Sequence, residues 1–126
     1  MIIGIGVDTI KVSRIQQALT RFGTRFAEKI LSEDELARFS KHNQPARYLA
    51  KRFAVKEAFS KAMGTGIRSP VTWKNIATQH HSSGAPYLSF SSNLSLLVKD
   101  RGITRTHLTV TDEENLAIAF VILEGE

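Results

Sequence analysis

An α+β fold is predicted for this chain, because its strand-like and helix-like segments do not alternate regularly. One long helical segment carries both its start and its stop, Pro45 and Gly64, and the last two strand-like runs are spaced as a hairpin. Taken in order, "IIGIGVDTI" is rich in β-branched residues and predicts a buried strand. If its side chains alternate, Ile3, Ile5 and Val7 share one face while Gly4, Gly6 and Asp8 share the other, leaving a hollow beside one carboxylate. "VSRIQQALTRFG" predicts an amphipathic helix with Val12, Ile15, Leu19 and Phe22 inward and Gly23 as its stop. "SEDELARFSKH" opens with Ser32 and Glu35 in capping-box register, so a second helix starts there. In the third, from Pro45 to Met63, Ala46, Leu49, Ala50 and Phe53 form an apolar stripe with Glu57 in its middle. "TWKNIATQ" and "PYLSFS" predict two strands joined by the turn-like "HHSSGA". "SNLSLLVKDRG" predicts a helix stopped by Gly102, and "HLTVTD" and "LAIAFVIL" flank "EEN" as a hairpin whose second strand is apolar enough to be central. The predicted order is therefore strand, three helices, two strands, helix, two strands. With no repeat or linker, residues 1–126 are expected to form one domain.

Composition narrows the functional classes. A content of 42% hydrophobic and 23% charged residues predicts an ordered chain, and the lack of cysteine excludes disulfides and thiolate metal sites. The apolar run from Leu116 to Leu123 is too short to span a membrane, and no basic segment precedes the apolar N-terminus, so a soluble cytoplasmic protein is expected. A net charge of +5 calls for an acidic partner: nucleic acid, phosphorylated metabolite, anionic membrane or acidic protein.

Several motifs are absent. In "GIGVDT" the third glycine of a dinucleotide fingerprint would fall at Thr9, and no P-loop or G-x-S-x-G elbow occurs. His80 and His81 lack zinc-ligand spacing and read as a solvated turn. What remains is two carboxylates in apolar surroundings, Asp8 and Glu57. Lys61, at i+4 from Glu57, is placed to pair with it. An unpaired buried carboxylate costs on the order of several kcal/mol, so two of them imply compensating positive charge. Lys61 satisfies one, whereas a divalent cation satisfies both. Oxygen-only ligands favour magnesium, which completes its shell with water and substrate phosphates. Arg52, Lys56 and Lys61 on the same helix supply cationic partners for phosphate, so chemistry on a phosphate or pyrophosphate is expected. Lys11, Arg14, Arg21 and Arg25 form a basic stripe if helical geometry persists past Gly23. With few interleaved aromatics, that stripe fits an acidic helix better than nucleic acid.

Two motifs combine these residues: Gly6-Val7-Asp8 near the N-terminus, and Phe53-Ala54-Val55-Lys56-Glu57-Ala58-Phe59-Ser60-Lys61, followed by "GTGI" from Gly64. In this order and in a chain of this length, they resemble the holo-[acyl-carrier-protein] synthases, the small bacterial 4′-phosphopantetheinyl transferases, and the resemblance extends over essentially the whole chain. It implies an antiparallel sheet packed with a long central helix, and a homotrimer with sites between subunits. It further implies transfer of 4′-phosphopantetheine from coenzyme A to a serine of apo acyl carrier protein in fatty acid biosynthesis, with 3′,5′-ADP as leaving group. By the same resemblance Asp8 and Glu57 hold Mg2+, and Lys61 steadies the pyrophosphate. Proton removal from the serine falls to Glu57 or to a water at the metal. The positions matching the coenzyme A site are Arg52, Ser60, Lys61, Gly66, Gly84, Pro86 and His107, and those matching the carrier-protein dock are Arg14, Arg21, Arg25 and Phe26. Two positions depart from the family pattern: Ala85 replaces a lysine between Gly84 and Pro86, and Asp112 stands where many members have histidine. A nucleic-acid-binding domain would explain only the basic helix, and a magnesium-dependent pyrophosphate hydrolase would leave that helix unused.

Overall fold

The computed structural model describes residues 1–126. Its larger sheet has three antiparallel strands in the order β1 (Ile2–Lys11), β5 (Leu116–Gly125), β4 (Ile103–Glu113). β5 is central, as its apolar composition predicts. In this register Asp8 pairs with Ala119, which pairs in turn with Val110. Ala117, Ala119, Val121 and Leu123 alternate inward and are buried.

The long helix α4 (Pro45–Met63) lies against that inner face. Its approach depends on Gly4 and Gly6, where a Cβ would overlap the carbonyl oxygens of Ala62 and Ala58. The hollow expected beside Asp8 is therefore not open; helix backbone fills it. A second correction concerns the outer face of β1. Ile3, Ile5 and Val7 do share a face, but they are 42%, 61% and 50% exposed, and Phe120 of β5 is exposed there too. Helices cover only one side of this sheet, so the strand is not buried on both faces.

Four α-helices, not three, separate β1 from the next strand. α1 (Val12–Phe22) stops at Gly23, whose φ of 68° breaks the helical path, and the chain restarts at once as α2 (Thr24–Ile30). Seven residues give too little periodicity for the second helix to be read separately from the first. The basic stripe is broken at the same point, with Arg14 and Arg21 on α1 and Arg25 and half-buried Phe26 on α2. α3 (Glu33–Phe39) has the predicted capping box: Ser32 Oγ accepts from Glu35 N, and Glu35 Oε1 accepts from Ser32 N.

After α4 the first half of the predicted strand "TWKNIATQ" forms a 3-10 turn, Trp73–Asn75. The strand proper, β2 (Ile76–His80), pairs with β3 (Pro86–Phe90) as a separate antiparallel ribbon, and α5 (Ser92–Asp100) leads into β4. Two apolar clusters result, one joining α4 to β5, the ribbon and α5, the other joining it to α1, α2 and α3. Because α4 serves both, it is buried round most of its circumference, and charged residues on it must find partners inside. No helix is long and apolar enough to cross a membrane.

Candidate active site

Asp8 follows Gly6 by two residues and so points toward α4. Lys61 Nζ donates to Asp8 Oδ1 at 3.0 Å and to Val7 O at 3.1 Å. The lysine thus pairs with Asp8, not with Glu57 as helical spacing suggested. The close helix–strand crossing at Gly4 and Gly6 brings both a carboxylate and a backbone carbonyl of β1 within its reach. Glu57 is left with a buried oxygen, Oε2, that has no hydrogen-bond partner. Desolvation raises its pKa above the ordinary value; the nearby Trp73 indole draws it back, Asp8 adds to the rise and Lys61 opposes it. Neither Trp73 Nε1 nor Glu57 Oε2 completes a hydrogen bond of normal geometry. Two carboxylates with an unmatched buried oxygen fit a hard divalent cation such as Mg2+. No group of three or more His, Cys, Asp or Glu gathers in the chain, so the two oxygen-donor side chains are what the protein offers such an ion.

Lys56 is not available to phosphate. It is fully buried, and Nζ donates to Ile30 O at 2.7 Å, Glu35 Oε1 at 2.7 Å and Trp73 O at 2.8 Å, which uses all three of its protons. Burial lowers its pKa while Glu35 holds the charged form in place. The second oxygen of Glu35 accepts from Thr78 N at 3.1 Å and faces Arg52 Nε at 3.3 Å, an ion pair without the alignment of a hydrogen bond. Arg52 also lies over the Tyr48 ring, 4.6 Å from its centroid. Sequence reasoning saw Glu35 only as a cap. The available signal was Lys56 itself, set between apolar Ala54, Val55, Ala58 and Phe59, because a lysine so placed requires an interior acid.

Buried Arg52 lines a cavity of about 780 Å3, whose walls also carry Arg38, Lys41, Arg47, Lys51 and His80, with Gly84 from the β2–β3 turn and Pro86 at the start of β3. His80 is therefore part of a cationic pocket, not merely a solvated turn residue; only His81 stays outside, stacked on Tyr87. Burial first, then Arg52, Arg38 and Lys51, lower the His80 pKa. The one acidic residue in the wall is Asp112, 2.9 Å from Arg47 Nη1 and 3.4 Å from Lys51 Nζ. Burial would raise its pKa, but the Arg47 hydrogen bond and Lys51 outweigh that and hold it below the usual carboxylate range.

The residues matched to a coenzyme A site thus fall into separate places. Arg52, Gly84 and Pro86 line the cavity. Glu57 follows Arg52 by five residues and Lys61 by nine, about 140° and 180° round the helix, so the carboxylate pair lies on the far side of α4 from the cavity. Ser60 is buried, its hydroxyl donating to Glu57 O at 2.7 Å, and Gly66 N donates to Ser60 O at 3.2 Å, so both belong to the C-terminal end of α4. His107 faces the open side of the sheet, 2.9 Å from Glu124 Oε1. Neither Asp8 nor Glu57 lines the cationic cavity within one chain.

The profile of the 4′-phosphopantetheinyl transferase superfamily matches residues 4–121. A holo-[acyl-carrier-protein] synthase of Nitrosospira multiformis is 52% identical over 124 residues, 98% of this chain and 99% of the relative. The crystal structure of the holo-[acyl-carrier-protein] synthase of Neisseria meningitidis is 44% identical and superposes with a TM-score of 0.96, covering 98% of this chain and 99% of that one. The corresponding synthase of Bacillus anthracis, solved in complex with coenzyme A (3′,5′-ADP), is 34% identical with a TM-score of 0.83, covering 100% of this chain and 99% of that one.

Proposed function

This chain belongs to the 4′-phosphopantetheinyl transferase superfamily, and we propose that it is a holo-[acyl-carrier-protein] synthase, moving 4′-phosphopantetheine from coenzyme A to a serine of apo acyl carrier protein in cytoplasmic fatty acid biosynthesis. The observation that carries the reading is the Asp8–Lys61–Glu57 cluster with its one unmatched carboxylate oxygen. Asp8 and Glu57 would hold Mg2+ there. The bound ion supplies neutralisation of pyrophosphate charge, the main requirement of this class of transfer.

The chain's own residues account for the rest. The serine oxygen forms a bond to the phosphorus that bears the pantetheine arm, the bond from that phosphorus to the bridging oxygen breaks, and 3′,5′-ADP departs with the bridging oxygen. Lys61, half exposed beside Asp8, offers its ammonium to the charge that develops on the leaving group. We assign the serine proton to the carboxylate of Glu57. Arg52 and its cationic neighbours, with Gly84 and Pro86, receive the phosphorylated nucleotide half of the donor. Exposed Arg14, Arg21 and Arg25, with Phe26, receive the acidic carrier.

Pocket and carboxylates lie on opposite sides of α4, so one chain does not bring them to one donor molecule. The open apolar face of β1 and β5, with Ile3, Ile5, Val7 and Phe120 exposed, supports association of copies of this chain. We assign a homotrimer in which the pocket of one subunit meets the carboxylates of the next, with His107 and Ser60 close to the shared donor.

Intact mass of apo acyl carrier protein, incubated with this protein, coenzyme A and magnesium, tests the reaction directly. A gain of one phosphopantetheine group that a chelator abolishes is expected. No gain, with a known transferase succeeding on the same substrate, would reject the reading. Arg14→Glu should raise the KM for carrier protein about tenfold at low salt and leave that for coenzyme A unchanged; an unchanged carrier KM would remove Arg14 from the dock.

A further inference from the structure

The cationic cavity contains a carboxylate that the transfer reaction does not use. Asp112 lies on β4, held by its pairing with Ala117 of the central strand, so its position is set by the sheet rather than by a loose loop. Its two oxygens take one cation each, Oδ2 that of Arg47 and Oδ1 that of Lys51. Arg47 is tied further, donating through Nη2 to the carbonyl of Glu114 in the β4–β5 turn. Two of the cavity's cations therefore already have an anionic partner before any ligand arrives. Asp112 keeps a quarter of its side-chain surface exposed, so an incoming phosphate would meet it at close range.

We propose that Asp112 is a built-in competitor for the donor's phosphate groups, occupying Arg47 and Lys51 in the free protein and repelling the anion that replaces it. The proposal rests on the reading that this cavity receives the nucleotide half of coenzyme A. Its chemical basis is simple. A carboxylate and a phosphate cannot both take full advantage of the same guanidinium and ammonium, and like charges a few ångströms apart repel at any dielectric. The effect is to weaken the hold on phosphorylated ligands in general, and with it the retention of the product 3′,5′-ADP, while Arg38, Lys41 and Arg52, which have no bond to Asp112, still attract the donor. Asp112 is thus an affinity-setting residue, distinct from the groups that touch the reacting phosphorus.

The test is titration calorimetry of wild type, Asp112→Asn and Asp112→Ala with coenzyme A, 3′,5′-ADP and inorganic pyrophosphate, each variant first checked for cooperative urea unfolding. Tighter binding of all three by both variants is expected, about tenfold in low salt and shrinking as salt is added. In an Arg47→Gln background the gain from Asp112→Asn should fall to about twofold or less, because the cation it frees is gone. Equal or weaker binding by the Asp112 variants would overturn the proposal and show that the carboxylate instead arranges the cations for phosphate. Wild-type protein that binds neither coenzyme A nor 3′,5′-ADP would reject the donor reading separately. Pyrophosphate alone would then decide whether Asp112 competes with anions.

Discussion

On one side of α4 the carboxylate of Glu35 has four partners: Ser32 N, Lys56 Nζ, Thr78 N and Arg52 Nε. On another side of the same helix Glu57 has an oxygen with none. Both residues are glutamates with lysines nearby; Glu35 is buried, and Glu57 is half-buried with its Oε2 shielded from water. The difference lies in how completely the surroundings neutralise them. A carboxylate with every lone pair matched is part of the framework, because any ligand would have to break existing bonds to reach it. One with an unmatched oxygen pays a desolvation cost in the free protein that a cation can relieve, and that is what a binding site requires.

The comparison predicts opposite outcomes for superficially similar substitutions. Asp8→Ala and Glu57→Ala should each lower the rate of phosphopantetheine transfer by about 10³–10⁴-fold, or about 4–5.5 kcal/mol of barrier, while unfolding free energy stays within about 1 kcal/mol of wild type. Normal magnesium-dependent turnover in either variant would erase the distinction between the two clusters. Glu35→Ala should do the reverse. By leaving Lys56 buried without its carboxylate it should cost about 3–5 kcal/mol of stability, read from urea unfolding. A neutral result there would mean that the Glu35 network is as dispensable to the fold as the Glu57 cluster.

Gly6→Ala probes the contact that unites β1 with α4. The added Cβ must displace the Ala58 carbonyl, so about 1–3 kcal/mol of stability should be lost together with activity, as Asp8 is moved away from Glu57. Retained transfer in a correctly folded variant would show that the spacing of the two carboxylates tolerates more latitude than the close crossing implies.

The smallest effect is one of pH. Desolvation raises the Glu57 pKa, so the folded protein binds a proton there more tightly than the unfolded chain does. In magnesium-free buffer the Glu57 contribution should make stability fall as pH rises from the ordinary value of 4.5 through the raised one. Urea unfolding across that range should show the slope in wild type and its loss in Glu57→Gln; an identical slope in both would assign it to another group.

Much of the architecture was legible from local chemistry. Pro45 and Gly64 mark both ends of α4, Ser32 with Glu35 marks the start of α3, and the apolar run from Leu116 marks the central strand. The inward setting of Glu57 and the shared face of Gly4, Gly6 and Asp8 also followed from periodicity alone. α2 did not, because a seven-residue helix beyond a glycine has no period of its own to detect. The exposed side of β1 did not either. Alternation separates two faces of a strand, but only neighbouring elements decide which of them is covered.

The partners of the charges were the least legible part. Spacing on a single helix suggested Lys61 with Glu57, yet Lys61 reaches Asp8, 53 positions away, and Lys56 reaches Glu35, 21 positions away. The cationic cavity is assembled from α3, the α3–α4 connection, α4, β2, the β2–β3 turn, the start of β3 and β4, none of which announces it alone. Sequence by itself determined where most of the helices and strands lie, that Asp8 and Glu57 had unmet charge, and the family motifs that connect them to phosphopantetheine transfer. Tertiary structure alone decided which carboxylate is satisfied and which is left with an open oxygen. The reason is physical: secondary structure answers to neighbours a few residues apart, whereas the energy of a buried ion pair depends on distance and desolvation, which only the packed chain defines.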